Sequence, residues 1–128
     1  MSLRRKSVLL VSSGKNKALI EALLDRGVEI LVRSAVLSAL QALRRQDVAA
    51  VAIDLNHTEL DLLELILNIR DLDAAVPVVL FGEPEESPGS AVLASLGPIE
   101  QVSGWQSLDD LAEQIVGALM ELYEAGEE

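Results

Sequence analysis

Short apolar runs alternate with helical patterns along the chain, and this alternation predicts βα units around a parallel sheet. The runs at residues 48–53 and 76–81 contain no charged residue, as expected of central strands buried on both faces. Three more runs are bordered by polar or turn-forming residues. The predicted strands cover residues 7–11, 28–32, 48–53, 76–81 and 99–102.

Each of these runs is followed by a stretch in which apolar residues recur on one side of a 3.6-residue turn. In the first stretch the stripe consists of Ala18, Leu19, Ala22 and Leu23. Gly27 is expected to end that helix, because glycine readily adopts the left-handed conformation that closes many helices. The predicted helices cover about residues 16–25, 35–45, 59–72, 90–96 and 108–122.

The second and last helices have clear start signals and inward faces. Ser34 and Ser107 precede them, and serine is a favoured N-cap residue. The residues of the second helix predicted to face the core are Val36, Leu37, Leu40 and Leu43. The core-facing stripe predicted for the last helix is Leu108, Leu111, Ile115, Leu119 and Leu122.

Five βα units joined by right-handed crossovers place helices on both faces of one sheet. We expect a single three-layer α/β domain of the flavodoxin-like type, with a five-stranded parallel sheet in the order 2-1-3-4-5 and five helices. The 128 residues are one domain's worth of chain. The ordered core is expected at about residues 4–123, and residues 124–128 would form a tail or linker.

Composition narrows the classes of function. The net charge of -11, with 21 acidic against 10 basic residues, argues against direct binding to nucleic acid, which needs a basic face. No stretch resembles a secretory signal, and none is apolar over the roughly 18 residues of a membrane span. The absence of cysteine is consistent with the reducing cytoplasm, which is where we expect the protein.

Candidate functional residues follow the strands, because sites in open α/β sheets form at the carboxyl ends of the strands. Asp54 ends the third strand and is a candidate nucleophile or metal ligand, with helix capping or loop binding as the alternative role. The single histidine, His57, excludes a site built from several histidines. Residues that follow the other strands are Ser12, Ser13, Gly82, Glu83 and Gly104.

Residues 51–64 resemble the segment around the phosphoacceptor aspartate in the receiver (CheY-like) domains of bacterial response regulators. Asp54 matches the acceptor, and Asn56 matches the position whose backbone carbonyl holds the metal. Residues 76–82 are similar to the fourth receiver strand. The resemblance covers nearly the whole chain and implies a CheY-like fold.

Most of that family's phosphorylation chemistry is missing from this chain. Receivers have two acidic residues where Ser12 and Ser13 stand, a hydroxyl residue where Gly82 stands, and a lysine where Gly104 stands. The resemblance therefore assigns Asp54 to the acceptor position within a degenerate site. The vestigial positions of the acidic pocket are Ser12, Ser13, Asn56, Gly82 and Gly104.

Each of these departures has a chemical consequence. Mg²⁺ prefers carboxylate ligands, so Ser12 and Ser13 are expected to have lost the metal site, and no cofactor is predicted. Glycine at positions 82 and 104 offers an acyl phosphate neither a hydroxyl nor a cation. We therefore predict that the protein is not an enzyme.

The predicted function is that of a pseudo-receiver in two-component phosphorelay signal transduction, acting by contact on an output domain or partner protein. A narrower resemblance implies a role in transcription regulation, since residues 81–84 and 92–96 are similar to the N-terminal domain of flagellar sigma-54-dependent transcriptional activators. Docking or homodimerisation would use the face that receivers build from their fourth helix, fifth strand and fifth helix, here about residues 90–122.

Two alternatives remain open. In the first, the chain is a conventional phosphoreceiver in which Asp54 accepts phosphate and Glu83 rebuilds the metal site. In the second, it is a small-molecule-binding flavodoxin-like domain, whose loop at residues 12–15 binds a phosphate through backbone N–H groups before the first helix.

Overall fold

A computed structural model describes residues 7–12, 16–56, 61–82 and 95–126. Five parallel strands form one sheet in the order β2-β1-β3-β4-β5, as the sequence predicted. The second strand begins and ends one residue later than expected, and the fourth begins two residues later. The strands are β1 Ser7–Val11, β2 Glu29–Arg33, β3 Val48–Asp54, β4 Val78–Phe81 and β5 Ile99–Val102.

The described residues form four helices, which are α1 Lys17–Asp25, α2 Val36–Arg45, α3 Leu62–Leu72 and α4 Leu108–Gly126. Two of the predicted end signals are confirmed. Gly27 follows α1 with a φ of 82°, and the Ser107 hydroxyl accepts the Asp110 N–H at 3.0 Å to cap α4. The predicted cap at Ser34 is wrong, because Ala35 occupies the N-cap position of α2.

The helix predicted at residues 90–96 lies mostly outside the described residues, and only its last two residues can be compared with the structure. Residues 90–94 lie outside the described residues, and Ser95 and Leu96 form a turn. Gly97 then has a φ of 91°, which a right-handed helix does not allow, and Pro98 has no N–H for a helical hydrogen bond.

Arg70 of α3 anchors this turn to the sheet. Its guanidinium donates to the carbonyl oxygens of Leu96, of Val76 at 2.8 Å and of Pro98 at 3.3 Å. The planar guanidinium carries five donors in a fixed arrangement, so one side chain can bind several carbonyls at once. The end of α3 is thereby tied to the starts of both β4 and β5.

Side chains alternate across the sheet and form two hydrophobic cores, one on each face. The first core packs α1 and α4 against the sheet, and the second packs α2 and α3 against the opposite face. The three layers confirm the flavodoxin-like α/β architecture. Strand residues in the first core include Val8, Leu10, Ala50, Ala52 and Val79. Their counterparts in the second core include Leu9, Val11, Val51, Ile53 and Leu80.

The inward faces of α2 and α4 differ in part from those predicted. Leu37 is 70% exposed, and Ala39 and Ala42 are the fully buried residues of α2. Leu108 is 42% exposed, because it is the first residue of α4 and lies beyond the edge of the core. Small alanines let α2 approach the sheet closely, so the larger side chains lie at its flanks.

Candidate functional site

The carboxyl ends of the strands bring three of the predicted site residues together. Val11 is paired with Ile53, and Asp54 with Phe81, so Ser12, Asp54 and Gly82 lie next to one another at one edge of the sheet. Ser12 is completely buried and Asp54 is 7% exposed. The structure thus forms a small polar site where the sequence predicted one.

The Asp54 carboxylate binds three neutral donors within the described residues. Its Oδ2 accepts the Ser12 hydroxyl at 3.0 Å and the Asn16 side-chain amide at 2.8 Å. Its Oδ1 accepts the backbone N–H of Asn56 at 2.9 Å. Hydrogen bonds to a carboxylate are stronger than those between neutral groups, and together they offset much of the cost of burying its charge.

Asn16 closes this network and is the site residue that sequence reasoning missed. Its Nδ2 also donates to the Ser12 hydroxyl oxygen at 2.6 Å, so the polar atoms of Asn16, Ser12 and Asp54 form a triangle. Asn16 occupies the N-cap position of α1, but its side chain makes no capping hydrogen bond. The available signal was an asparagine directly before a helix and close to a strand end, and that pattern also fits an ordinary cap.

Gly82 is required by the packing beside Asp54. It has a φ of 147°, and a Cβ at this position would lie 2.7 Å from the Cβ of Leu55. A threonine or serine would therefore meet both an unfavourable backbone conformation and a steric overlap. The hydroxyl that receivers carry here is sterically excluded from the conformation that this chain adopts.

Gly104 follows β5 in a left-handed conformation, with a φ of 74°, and a Cβ there would have no atom within 4 Å. A lysine would fit the space but would meet the backbone strain of that conformation. Trp105 is half-buried and packs against the core on the α1 and α4 face.

Mg²⁺ does not fit the donor set formed by the described residues. Within residues 7–12, 16–56, 61–82 and 95–126, no group of three or more aspartate, glutamate, histidine or cysteine residues could hold a metal ion. The Ser12 hydroxyl is already paired with both Asp54 and Asn16. Ser13 and Glu83, which the sequence also placed here, lie outside the described residues.

The alternative phosphate loop at residues 12–15 is only partly described, since residues 13–15 lie outside the described ranges. Ser12, the described end of that loop, donates to a buried carboxylate. The Asp54 carboxylate, 3.0 Å from the Ser12 hydroxyl oxygen, would repel an anion bound beside Ser12. The described part of the loop therefore does not favour phosphate binding. His57 also lies outside the described residues.

Solved structures with this fold include response regulator receiver domains. A CheY-like receiver domain protein from Methanospirillum hungatei JF-1 matches with a TM-score of 0.73 and 16% identity, over 94% of this chain and 98% of that chain. A receiver protein from Sinorhizobium medicae WSM419 matches with a TM-score of 0.71 and 18% identity, over 98% of this chain and 99% of that chain.

A third similar structure is the receiver domain of a sensor histidine kinase from Pseudomonas aeruginosa PAO1, with a magnesium ion coordinated in its active site cleft. Its TM-score is 0.71 and its identity 18%, over 93% of this chain and 98% of that chain. No protein-family model and no curated protein matches the sequence. The chain therefore has the fold of CheY-like receiver domains.

No helix in the described part of the chain is long and apolar enough to cross a membrane.

Proposed function

We propose that this chain is a receiver-like signalling module that acts by contact on an output domain or partner protein and does not switch through phosphorylation of Asp54. The receiver fold supports the signalling role. The observation that carries the degenerate assignment is the Asp54 carboxylate, which binds the Ser12 hydroxyl, the Asn16 amide and the Asn56 N–H.

The first argument concerns the phosphoryl transfer itself. The reaction needs a cation to neutralise the charge that spreads over the phosphoryl oxygens. The donors that surround Asp54 are neutral, and Oδ2 would have to lose two of them before it could attack phosphorus. Leaving buried polar groups without partners costs about 1–3 kcal/mol each, which would add to the barrier.

The second argument concerns the switch that follows phosphorylation. A bound group shifts a conformational equilibrium only by its difference in affinity for the two states. Gly82 and Gly104 have no side chain with which to bind a phosphate in one state and release it in the other. A phosphate on Asp54 would therefore shift the equilibrium very little.

We further propose that the partner docks on the face that includes β5 and the outward side of α4. That side carries Asp109, Glu113 and Glu121 at a spacing that places them on one stripe. Two copies of this stripe would repel each other in a homodimer across it. The charges therefore favour a partner with basic residues over a second copy of this chain.

The proposal is tested with beryllofluoride and acetyl phosphate in the presence of Mg²⁺. We expect the backbone NMR spectrum and the sedimentation behaviour to remain unchanged, because Asp54 has neither a cation site nor switch residues around it. A receiver domain with an intact acidic pair serves as the positive control. Saturable shifts centred on Ser12, Asp54 and Gly82, or a change in oligomeric state, would instead identify a conventional phosphoreceiver.

A further inference from the structure

The side-chain amide of Asn16 bridges two elements at the carboxyl edge of the sheet. One N–H group donates to Ser12, directly after β1, and the other donates to Asp54 at the end of β3, at 2.6 and 2.8 Å. A carboxylate can only accept, so the NH₂ group of Asn16 must be the side that faces Asp54. The orientation of the amide is thus fixed by chemistry.

Burial creates the need for this amide. Asp54 is 7% exposed and Ser12 is completely buried, so solvent can hydrate the carboxylate only slightly. A buried carboxylate needs hydrogen-bond donors or a cation. Ser12 and the Asn56 N–H alone would leave Oδ2 with a single donor, and Asn16 supplies the second.

The same amide obstructs a cation. An amide nitrogen has no free lone pair for a metal, because the lone pair is delocalised into the carbonyl group. A cation that approached Oδ2 of Asp54 would have to displace the Asn16 amide, which would lose both of its hydrogen bonds. Turning the amide over would present its Oδ1, which can bind a metal, but this would also break both hydrogen bonds. The orientation of Asn16 in this structure and a divalent cation are therefore mutually exclusive beside this oxygen.

We propose that Asn16 is a positioning residue that takes the place of a cation beside Asp54 and keeps the site closed to divalent metals. The inference rests on the proposed function, in which Asp54 is not a phosphoacceptor, and it names the side chain responsible. Asn16 joins the start of α1 to the end of β3 through Asp54 and so holds this edge of the sheet in one conformation.

The test is the nearly isosteric substitution Asn16→Asp, followed by thermal unfolding with and without MgCl₂. The variant places a second carboxylate where the amide was, so we expect a lower melting temperature in chelator, because like charges in contact repel. We expect Mg²⁺ at about 10 mM to raise its melting temperature, since a ligand of the native state stabilises it. Its affinity for Mg²⁺ should exceed that of the wild type by about tenfold or more.

Two matched variants control for effects unrelated to the site. Asn16→Ala removes the amide without adding a charge, so it should lower the melting temperature and gain no response to Mg²⁺. Asn68→Asp makes the same chemical change on α3, on the opposite face of the sheet from α1, and it should also gain no response. A similar Mg²⁺ response in Asn68→Asp would show that added charge alone produces the effect and would overturn the proposal.

The wild type provides a readout that does not depend on the folding of any variant. The side-chain NH₂ resonances of Asn16 should exchange slowly and remain unshifted by Mg²⁺. Saturable shifts of these resonances would show that the amide yields to a cation, and this would overturn the inference. An Asn16→Asp variant that folds without responding to Mg²⁺ would also overturn it and leave the proposed function intact. A response of the wild type to beryllofluoride would overturn the proposed function.

Discussion

At the scale of a single residue, Gly82 has a packing role that the sequence did not reveal. The sequence indicated only that the switch hydroxyl of a receiver is missing at this position. The structure adds that Leu55 lies where a Cβ would be, at 2.7 Å, and that φ is 147°. Glycine is therefore part of how this chain packs the end of β4 against the residue after Asp54.

Restoring a hydroxyl residue by Gly82→Thr is expected to destabilise the domain by about 2 kcal/mol or more, because backbone strain and overpacking add. Gly104→Thr is the matched control, since it has a positive φ and no neighbour within 4 Å. It should cost about 1 kcal/mol from strain alone. Urea unfolding measures both values, and equal losses would mean that Leu55 does not constrain position 82.

The site residues differ in how far the sequence could predict their arrangement. Ser12 and Asp54 follow adjacent parallel strands, so their proximity follows from strand order and from the length of each apolar run. The hydrogen bonds of Asn16 depend on its exact position before α1, which no periodicity predicts. The assignment of Asp54 as the phosphoacceptor position stays a prediction.

At the scale of elements, periodicity predicted where helices lie better than which residues they bury. The pattern of α2 is equally compatible with two adjacent faces, and the prediction chose the one with the largest side chains. The structure buries Ala39 and Ala42 and leaves Leu37 exposed, because a helix that crosses a sheet closely needs small residues at the contact. The turn at Leu96 depends on Arg70, which lies 26 residues away in the sequence.

Glu100 of β5 lies near Glu121 of α4, and this contact makes the stability of the domain depend on pH. Burial and the nearby Glu121 carboxylate raise the pKa of Glu100. The folded state therefore holds this proton to a higher pH than the unfolded chain does. Stability consequently falls as pH rises from the ordinary glutamate pKa through the raised pKa of Glu100.

Glu100→Gln should accordingly raise the melting temperature near neutral pH, because it removes a carboxylate that the fold disfavours in its charged form. The gain should disappear at a pH below the ordinary range of glutamate, about 4, where Glu100 is protonated in both states. Glu113→Gln removes the same charge from an exposed position of α4 and serves as the control. A gain for Glu100→Gln that persists unchanged in acid would contradict the electrostatic explanation.

At the scale of the whole molecule, the fold was the most predictable property. Apart from Asp54 at the end of β3, the strands β3 and β4 are apolar on both faces. They alternate with amphipathic helices, and this arrangement permits few topologies once crossovers are right-handed. The distribution of charge could be read from the sequence as well. The helix α4 carries five acidic and no basic residues, whereas α2 carries two arginines and no acidic residue.

This asymmetry of charge supports the proposed docking of a basic partner on α4. Exposed charges on one face steer association with a surface of the opposite sign and set the salt dependence of the association rate. The site at Asp54, by contrast, is buried and its polar atoms are satisfied within the domain. Signalling through this chain should therefore depend on the α4 surface and little on Asp54.

The last prediction compares the Asp54 site with the α4 surface. A strain that lacks the gene is complemented with variants of each, and its transcript profile is measured. Asp54→Asn should restore the wild-type transcript profile, although its new NH₂ group would face one of the three donors and cost about 1–2 kcal/mol of stability. Glu113→Lys and Glu121→Lys should fail to restore the profile, because they reverse the charge that a basic partner would meet. Neither should lower the unfolding temperature, and Glu121→Lys should raise it near neutral pH by removing the repulsion with Glu100. Lys17→Glu, on α1, is the control for charge reversal elsewhere on the same face of the sheet. Loss of the profile in a folded Asp54→Asn variant, with both α4 variants active, would reassign the signal to phosphorylation of Asp54.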